Sequence, residues 1–140
     1  MKRKSIRVLA LIIALTIVLS IGAFAAIESS AYIAATNAWI GRNGNQIKVY
    51  FTIVGTATMD QIGVKYVYLY ESSDYGWELV KTYDYTDLQY SATMMASSVS
   101  GHAGYLPYNG SADKLYFADC RFYAEKDGGS DTIPQNTPIG

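Results

Sequence analysis

Residues that build disulfides and metal centres are almost absent from this sequence. It has one cysteine, Cys120, and one histidine, His102, among 140 residues. A single cysteine cannot form an intramolecular disulfide, so the domain is not held together by a disulfide framework. One histidine and one cysteine also cannot supply the usual ligands of a zinc centre. We therefore predict no metal site of this kind and no cofactor.

Basic residues are scarce after the N-terminus. Four of the 11 lie between Lys2 and Arg7, whereas residues 26–140 hold the other seven together with all 12 acidic residues, a net charge of −5. Proteins that bind nucleic acids present basic patches, and anionic lipid attracts basic segments. We therefore predict no nucleic-acid partner, and contact with a membrane only through the N-terminal segment if it remains uncleaved.

The N-terminus has the three parts of a secretory signal. After the basic residues come an uncharged stretch, Val8–Leu19, and then small residues with an Ala-x-Ala site at Ala23–Ala25. This pattern predicts a signal helix in residues 1–25, cleaved after Ala25, and one mature domain in residues 26–140. The alternative is an uncleaved anchor, because the uncharged run reaches Ile27 and so approaches the roughly 20 residues that span a bilayer. In both cases we expect the domain to be exported, either secreted or held at the cell surface.

Period-two alternation of apolar residues dominates the rest of the chain. The clearest strand is Ile47–Ile53, which has four apolar side chains on one face. A second strand, Leu115–Glu125, places Cys120 in the core by the same alternation. The stretch Ile62–Glu71 is also a strand, but it has no single apolar face. Either it is covered on both sides, or a β-bulge switches its parity partway.

Shorter strands and turn signals complete this pattern. The segment Trp77–Tyr83 is predicted to pair with Ile62–Glu71 as a hairpin across Asp74-Tyr75-Gly76. Sustained helical periodicity is absent, although the alanine-rich segment Ala25–Ala38 is a candidate short helix. Weaker strands are predicted at Ala38–Ile40, Met94–Val99, Gly104–Tyr108 and Thr132-Ile133.

About seven short strands with frequent turns predict an all-β fold. The expected architecture is a single antiparallel sandwich of the immunoglobulin or fibronectin type III kind. A compact barrel is the alternative. No internal repeat and no low-complexity linker divides residues 26–140, so one domain is sufficient.

From about Ile47 onward, the layout resembles fibronectin type III and related sandwich modules of secreted bacterial proteins. The segment Tyr116–Ser130 is similar to the tyrosine-led penultimate strand of such modules, which ends in a Gly-Ser turn. It departs from their pattern because Ala124 lies eight residues after Tyr116. The order IGVKYVYLYE, then W-x-L-V-x-T-Y, looks like the central hairpin of small exported bacterial proteins of unknown function. The resemblance implies a fold rather than an activity, because such sandwiches serve many unrelated functions.

No group of residues forms a recognisable catalytic set. His102 lies in a glycine-rich segment without a G-x-S-x-G motif, so we interpret it as a solvent-exposed loop residue rather than a general base. Asp84 and Asp87 have the side chains of a glycosidase pair, but their Tyr-Asp-Tyr-Thr-Asp context favours a turn. An acid, a base and a nucleophile cannot be assembled, and we predict no catalytic residue and no enzyme.

The loop Asp127–Asp131 is a candidate calcium site. Its two carboxylates and several carbonyls suit the loose oxygen coordination that calcium takes. The spacing does not match the D-x-[DN]-x-[DN]-G loop. We therefore favour an ordinary solvated turn before the last strand, with no bound metal.

All 13 tyrosines lie within residues 26–140. Tyr66, Tyr68 and Tyr70 share one side of a strand and would form a rigid amphipathic surface if they faced solvent, with Tyr50 and Tyr123 as additions. Exposed tyrosines offer a large contact area, a hydroxyl group and little side-chain entropy to lose. We predict that this surface binds a glycan, a cell-wall component or a protein. The alternative is that these rings belong to the core or to cross-strand packing.

The sequence therefore favours an exported, non-catalytic binding module. The alternative is a structural protein that associates with itself. Its motivation is the nearly uncharged strand Val64–Tyr70, which would pair with other chains if it lay at an open edge of the sheet.

Overall fold

Six strands and one helical turn make up the part of the chain that the structure describes. A computed structural model describes residues 30–140, so the predicted signal and its cleavage site lie outside the described residues. Within residues 30–140, no helix is long and apolar enough to cross a membrane. The elements are β1 (Ile33–Asn43), β2 (Gln46–Ser73), β3 (Gly76–Asp84), α1 (Ser91–Met94), β4 (Met95–Asn109), β5 (Tyr116–Lys126) and β6 (Gly129–Asn136).

The 28-residue strand β2 organises the sheet. Its N-terminal half pairs with β1 on one edge and β4 on the other, and its C-terminal half pairs with β5 and β3. Strand β6 pairs with the other edge of β5. Every pairing is antiparallel, which confirms the predicted all-β antiparallel class. Register shifts between Val54 and Met59 and between Val64 and Tyr66 bend β2, so the sheet curls.

The described residues form six strands because two pairs of the eight predicted segments are each one continuous strand. Ile47–Ile53 and Ile62–Glu71 both lie in β2. Met94–Val99 and Gly104–Tyr108 fall almost entirely within β4, which pairs with β2 as far as Gly63. The residues between them, Ser100–Ala103, include Gly101, and glycine is a poor strand former. Their backbone is nevertheless paired, with Gly101 opposite Val54 and His102 opposite Ile53. Pairing with the neighbouring strand overrides the local preference.

The prediction of a short helix at Ala25–Ala38 is wrong for the residues that the structure describes. Residues 33–38 belong to β1, which pairs with β2 from Ile33 to Asn43. Ile33 and Ala38 are both buried in the core. Alanine is the best helix former, but intrinsic propensity is worth only a fraction of a kcal/mol per residue. The pairing with β2 and the burial of Ile33 outweigh that preference.

A bulge resolves the ambiguous strand Ile62–Glu71. Ile62 and Val64 are buried, and after the register shift at Lys65 the buried residues are Val67 and Leu69. The extra residue switches the parity of the strand, as one of the two sequence interpretations proposed. Because of this switch, the tyrosines that follow the bulge point away from the core.

The core lies between the inner faces of the two halves of β2, with β5 closing it. The predicted inward sides of Ile47–Ile53 and of β5 are confirmed, since their alternate apolar residues are buried. Cys120 is fully buried, as predicted. Burial, with a smaller contribution from Asp119, raises the pKa of the Cys120 thiol to about 12. The thiol is therefore protonated and poorly reactive in the folded protein.

The strand Val64–Tyr70 does not lie at an edge of the sheet. Val64 and Tyr66–Tyr70 pair with β5, and Tyr66–Tyr70 also pair with β3. A strand paired on both sides offers no free hydrogen-bonding groups to another chain. The observation that motivated the self-association hypothesis is therefore not present in this fold.

Candidate functional site

The only histidine is part of a strand and not of a loop, contrary to the prediction. His102 lies in β4, and its Nε2 atom is 2.6 Å from the carbonyl oxygen of Thr93. Its ring is half-buried and packs 5.9 Å from the ring of Phe51. The contact joins β4 to the helical turn α1, so the histidine has a structural partner.

Asp84 and Asp87 form a turn, as predicted. One carboxylate oxygen of Asp84 accepts hydrogen bonds from the backbone N–H of Thr86, at 2.9 Å, and from its hydroxyl, at 2.8 Å. The carboxylate of Asp87 accepts a bond from the N–H of Gln89 at 3.1 Å. Each carboxylate thus bonds to the backbone two residues further on, which is the usual way in which aspartate stabilises turns.

The candidate calcium loop is the turn of the β5–β6 hairpin. Asp127 and Gly128 both have positive φ angles, 52° and 80°, as a type I′ turn requires. The carboxylate of Asp131 accepts hydrogen bonds from the N–H groups of Ala31 and Tyr32. Among residues 30–140, no three His, Cys, Asp or Glu side chains lie close enough together to hold a metal ion.

The three predicted tyrosines lie together on the outer side of the sheet. Tyr66, Tyr68 and Tyr70 follow the bulge in β2 and are half-buried, whereas Val67 and Leu69 between them point into the core. The rings of Tyr66 and Tyr68 are stacked, with centroids 6.2 Å apart and planes 16° apart. The rings thus form a surface layer above the core.

Two aromatic residues from neighbouring strands extend this layer. Phe117 of β5 lies opposite Tyr70, and their rings stack with centroids 4.9 Å apart. Trp77 of β3 meets the ring of Phe117 edge-on at 4.8 Å and is 42% exposed. We call Tyr66, Tyr68, Tyr70, Trp77 and Phe117 the tyrosine face.

The sequence contains a signal for Phe117 but not for Trp77. Phe117 follows from alternation, since the odd-numbered positions of β5 between Phe117 and Arg121 point outward while the even-numbered ones are buried. In β3, Gly76–Leu79 are all exposed, so alternation does not distinguish Trp77. The pairing of Phe117 with Tyr70 could not be predicted, because it depends on the register between two strands that are far apart in the chain.

Charged side chains surround the tyrosine face. Asp119 lies opposite Tyr68 and binds Arg121 at two points, at 3.1 and 2.8 Å. The hydrogen bond to Asp119 raises the pKa of the Arg121 guanidinium, which lies 5.8 Å from the ring of Tyr68. Asp84 lies opposite Tyr66 on the other side. Sugar hydroxyls are good hydrogen-bond donors to such carboxylates.

The hydroxyl groups distinguish these tyrosines from the buried ones. Tyr83 donates a hydrogen bond to the carbonyl of Pro107, and Tyr116 donates one to Glu71. In contrast, the hydroxyls of the three tyrosines of the tyrosine face have no hydrogen-bond partner within residues 30–140. These three hydroxyls are therefore available to a ligand.

Tyr50 and Tyr123, which the sequence suggested as additions, do not belong to the tyrosine face. Tyr123 is only 8% exposed, and its hydroxyl donates to Glu125 at 2.7 Å. Tyr50 lies in the N-terminal half of β2, between Trp39 and Tyr105 of the adjacent strands. The bends of β2 separate the two halves of this strand, and a sequence pattern does not show where they occur.

The tyrosine face combines stacked rings, free hydroxyls and flanking carboxylates, and it crosses three neighbouring strands. A comparison with protein-family models, with curated proteins and with solved structures finds no match to this chain.

Proposed function

We propose that this protein is an exported, non-catalytic module that binds an uncharged glycan through the tyrosine face. The observation that carries the proposal is the set of three outward tyrosines whose hydroxyls have no partner within residues 30–140. Aromatic rings pack against the apolar faces of sugar rings, and hydroxyls and carboxylates bond to the sugar hydroxyls.

The shape of the surface favours an extended ligand. The rings occupy three antiparallel strands, from Trp77 on β3 through Tyr70 on β2 to Phe117 on β5. A polysaccharide or a cell-wall glycan chain can cover such a surface, whereas a small molecule needs an enclosing cavity. Asp84 disfavours an anionic chain at this place, because the pairing of Arg121 with Asp119 leaves the charge of Asp84 uncompensated among these three residues.

The location and the closer fold type are part of the same proposal. The tripartite N-terminal pattern supports export to the cell surface or the extracellular space. An immunoglobulin or fibronectin type III-like sandwich is supported by the antiparallel pairing of all strands and by the tyrosine-led strand β5, which a glycine turn joins to the last strand. Glycan-binding modules need no catalytic residue, which agrees with the structural partners of His102 and Asp84.

The proposal is tested by affinity electrophoresis in gels that contain a soluble neutral β-glucan or mannan, with purified peptidoglycan as an insoluble probe. We expect retardation of the wild-type domain, and about tenfold weaker binding for Tyr68→Ala because one stacking ring is lost. Tyr68→Phe keeps the ring and should weaken binding only about threefold, since one hydroxyl bond is removed.

A matched control is Tyr75→Ala. Tyr75 is fully exposed at the tip of the β2–β3 hairpin, and its ring has no aromatic partner within the described residues. This variant should bind like the wild type. The proposal is wrong if the folded wild-type domain binds none of these glycans, or if Tyr75→Ala weakens binding as much as Tyr68→Ala.

A further inference from the structure

A second group of aromatic rings lies on the outer side of the other half of the sheet. Trp39 of β1, Tyr50 of β2 and Tyr105 of β4 occupy one register line, each opposite the next. The rings of Trp39 and Tyr50 are stacked, with centroids 5.3 Å apart and planes 4° apart, and Tyr105 lies 5.7 Å from Tyr50. We call these three residues the tryptophan row.

The tryptophan row is exposed and open at both ends. Trp39 is 39% and Tyr105 is 47% exposed. Strands β1 and β4 pair only with β2, so the row runs from one edge of this half of the sheet to the other. The hydroxyls of Tyr50 and Tyr105 have no hydrogen-bond partner within residues 30–140. A linear chain can therefore lie along the row and extend beyond both edges.

Glycine at position 41 lets the row keep its geometry. A Cβ atom at Gly41 would lie 2.6 Å from Cε2 of Tyr50. The Tyr50 ring therefore lies directly over the backbone of β1, beside Trp39. A larger residue at this position would displace the ring, so the contact fixes the position of Tyr50 relative to Trp39.

The charge beside the tryptophan row is positive, whereas the net charge of the domain is negative. Lys48 is two residues before Tyr50, and its Nζ atom lies 4.6 Å from the centre of the Tyr105 ring. A depression of about 140 Å³ beside Tyr50 is lined by Lys48. The guanidinium of neighbouring Arg42 is directed elsewhere, because it donates to the carbonyls of Ser111, Ala112 and Lys114. No carboxylate lies at the positions of β1, β2 and β4 that are two or four residues from the row on the same side of the sheet. Besides Lys48, these described positions include Asn37, Thr52, Ala103, Gly41, Pro107, Asn43, Gln46 and Asn109.

We propose that the tryptophan row is a second binding site, separate from the tyrosine face, for a linear polysaccharide that carries uronate carboxylates. The three rings would pack against successive sugar rings, and Lys48 would pair with a carboxylate. The occupant follows from charge complementarity, because Lys48 adjoins the aromatic row, with no carboxylate at the neighbouring register positions, in a domain of net negative charge. A polyol phosphate would pair with the lysine but has no sugar ring face for Trp39.

The test uses an oligogalacturonate and its fully methyl-esterified form, a ligand pair that differs in charge. We expect the wild-type domain to prefer the free acid in isothermal titration calorimetry. Trp39→Ala should weaken binding at least about tenfold, because it removes the largest ring of the row. Lys48→Gln should abolish the preference for the acid over the ester, and Lys48→Arg should keep it.

Further variants separate this site from the tyrosine face and from a merely structural role. Tyr68→Ala, on the other half of the sheet, should leave oligogalacturonate binding unchanged, and each variant is first shown to be folded by circular dichroism. The inference is wrong if the wild-type domain does not bind oligogalacturonate, or if Trp39→Ala and Lys48→Gln bind it like the wild type. It is also wrong if polyglutamate competes as effectively as the sugar acid, because the ligand would then be an acidic protein segment.

Discussion

The two aromatic surfaces of this sheet are made in the same way but differ in charge. Both cross three antiparallel strands with β2 in the middle, and both present tyrosine hydroxyls without a partner in residues 30–140. The tyrosine face is flanked by Asp84 and by the ion pair of Asp119 with Arg121, whereas Lys48 adjoins the tryptophan row. Under the two proposals, similar ring stacking serves two different ligands, and the charges beside the rings select between them.

The path of β2 explains how one strand supplies both surfaces. In its N-terminal half, odd-numbered residues such as Phe51 are buried, but Ile62 and Val64 are buried further along, and after Lys65 the odd-numbered Val67 and Leu69 are buried again. The parity therefore switches twice. Without the second switch, Tyr66 and its neighbours would point into the core, and the tyrosine face would not exist.

The largest expected effect comes from breaking the junction between the two halves. A Cβ atom at Gly63 would lie 1.9 Å from the backbone carbonyl oxygen of Met94, and Gly63 pairs with both β4 and β5. Because backbone must move to accept a methyl group, Gly63→Ala should lower the free energy of unfolding by about 3 kcal/mol. Urea denaturation measures this change.

The two tryptophans report on the two surfaces separately. Trp39 belongs to the tryptophan row and Trp77 to the tyrosine face, so the fluorescence of Trp77→Phe and Trp39→Phe variants follows each half. Gly63→Ala should shift the unfolding transitions seen by both probes to the same extent if the sheet is one cooperative unit. Gly44→Asn is the control, because Gly44 has a φ of 61°, which asparagine tolerates, and no atom lies within 4 Å of its added Cβ. Separate transitions for the two probes would contradict a single cooperative unit.

The second prediction concerns the core beneath the tyrosine face. Cys120 lies opposite Val67, and its thiol pKa is raised from 9.0 to about 12, mainly by burial. The stabilising contribution is fully present below about pH 9 and is lost as the pH rises from about 9 to about 12, because the unfolded thiol ionises first. The free energy of unfolding should therefore fall over this range, as urea denaturation at several pH values would show.

The variant Cys120→Ala isolates the contribution of the thiol. It should be less stable than the wild type near neutral pH because of the lost packing, and the gap should narrow at alkaline pH. Burial also raises the pKa of Tyr83, which should destabilise both proteins at still higher pH. If the free energies of unfolding of the wild type and of Cys120→Ala fall in parallel from neutral to alkaline pH, the thiol does not cause the pH dependence.

The sequence predicted those parts of the fold that depend on local pattern. Alternation correctly identified the inward face of Ile47–Ile53 and the burial of Cys120, because each depends only on neighbours two residues away. It failed for the helix candidate at residues 33–38 and for the loop around His102. In both segments, pairing with β2 decided the conformation, and pairing partners are distant in sequence.

The candidate surfaces were predictable to a smaller extent. Tyr66, Tyr68 and Tyr70 were identified, but their outward orientation depends on the bulge at Lys65, which the sequence left open. The tryptophan row escaped prediction because its three members are contributed by three strands, and only the register brings Trp39 and Tyr105 to Tyr50. Such a surface becomes visible only when strand order and register are known.

The third prediction sharpens the difference in charge between the two surfaces. Oligogalacturonate binding at the tryptophan row should weaken several-fold between about 0.1 M and about 1 M salt, because the screening length falls from about 10 Å to about 3 Å. Binding of a neutral glycan at the tyrosine face should change less than about twofold, since stacking is not screened. Titration calorimetry of both ligands at each salt concentration provides the comparison. Equal salt dependence of the two would mean that charge does not separate them.

The smallest expected effect tests how closely the tryptophan row must be held. Gly41→Ala places a methyl group against the Tyr50 ring, which is half-buried at the surface and can tilt away at little cost to folding. We expect oligogalacturonate binding to weaken about threefold, because tilting misaligns Tyr50 with Trp39, while the free energy of unfolding changes by less than about 1 kcal/mol. Neutral glycan binding at the tyrosine face should not change. If Gly41→Ala binds the acid like the wild type, the stacking of Tyr50 on Trp39 is packing alone, and only Trp39, Tyr105 and Lys48 remain as the site.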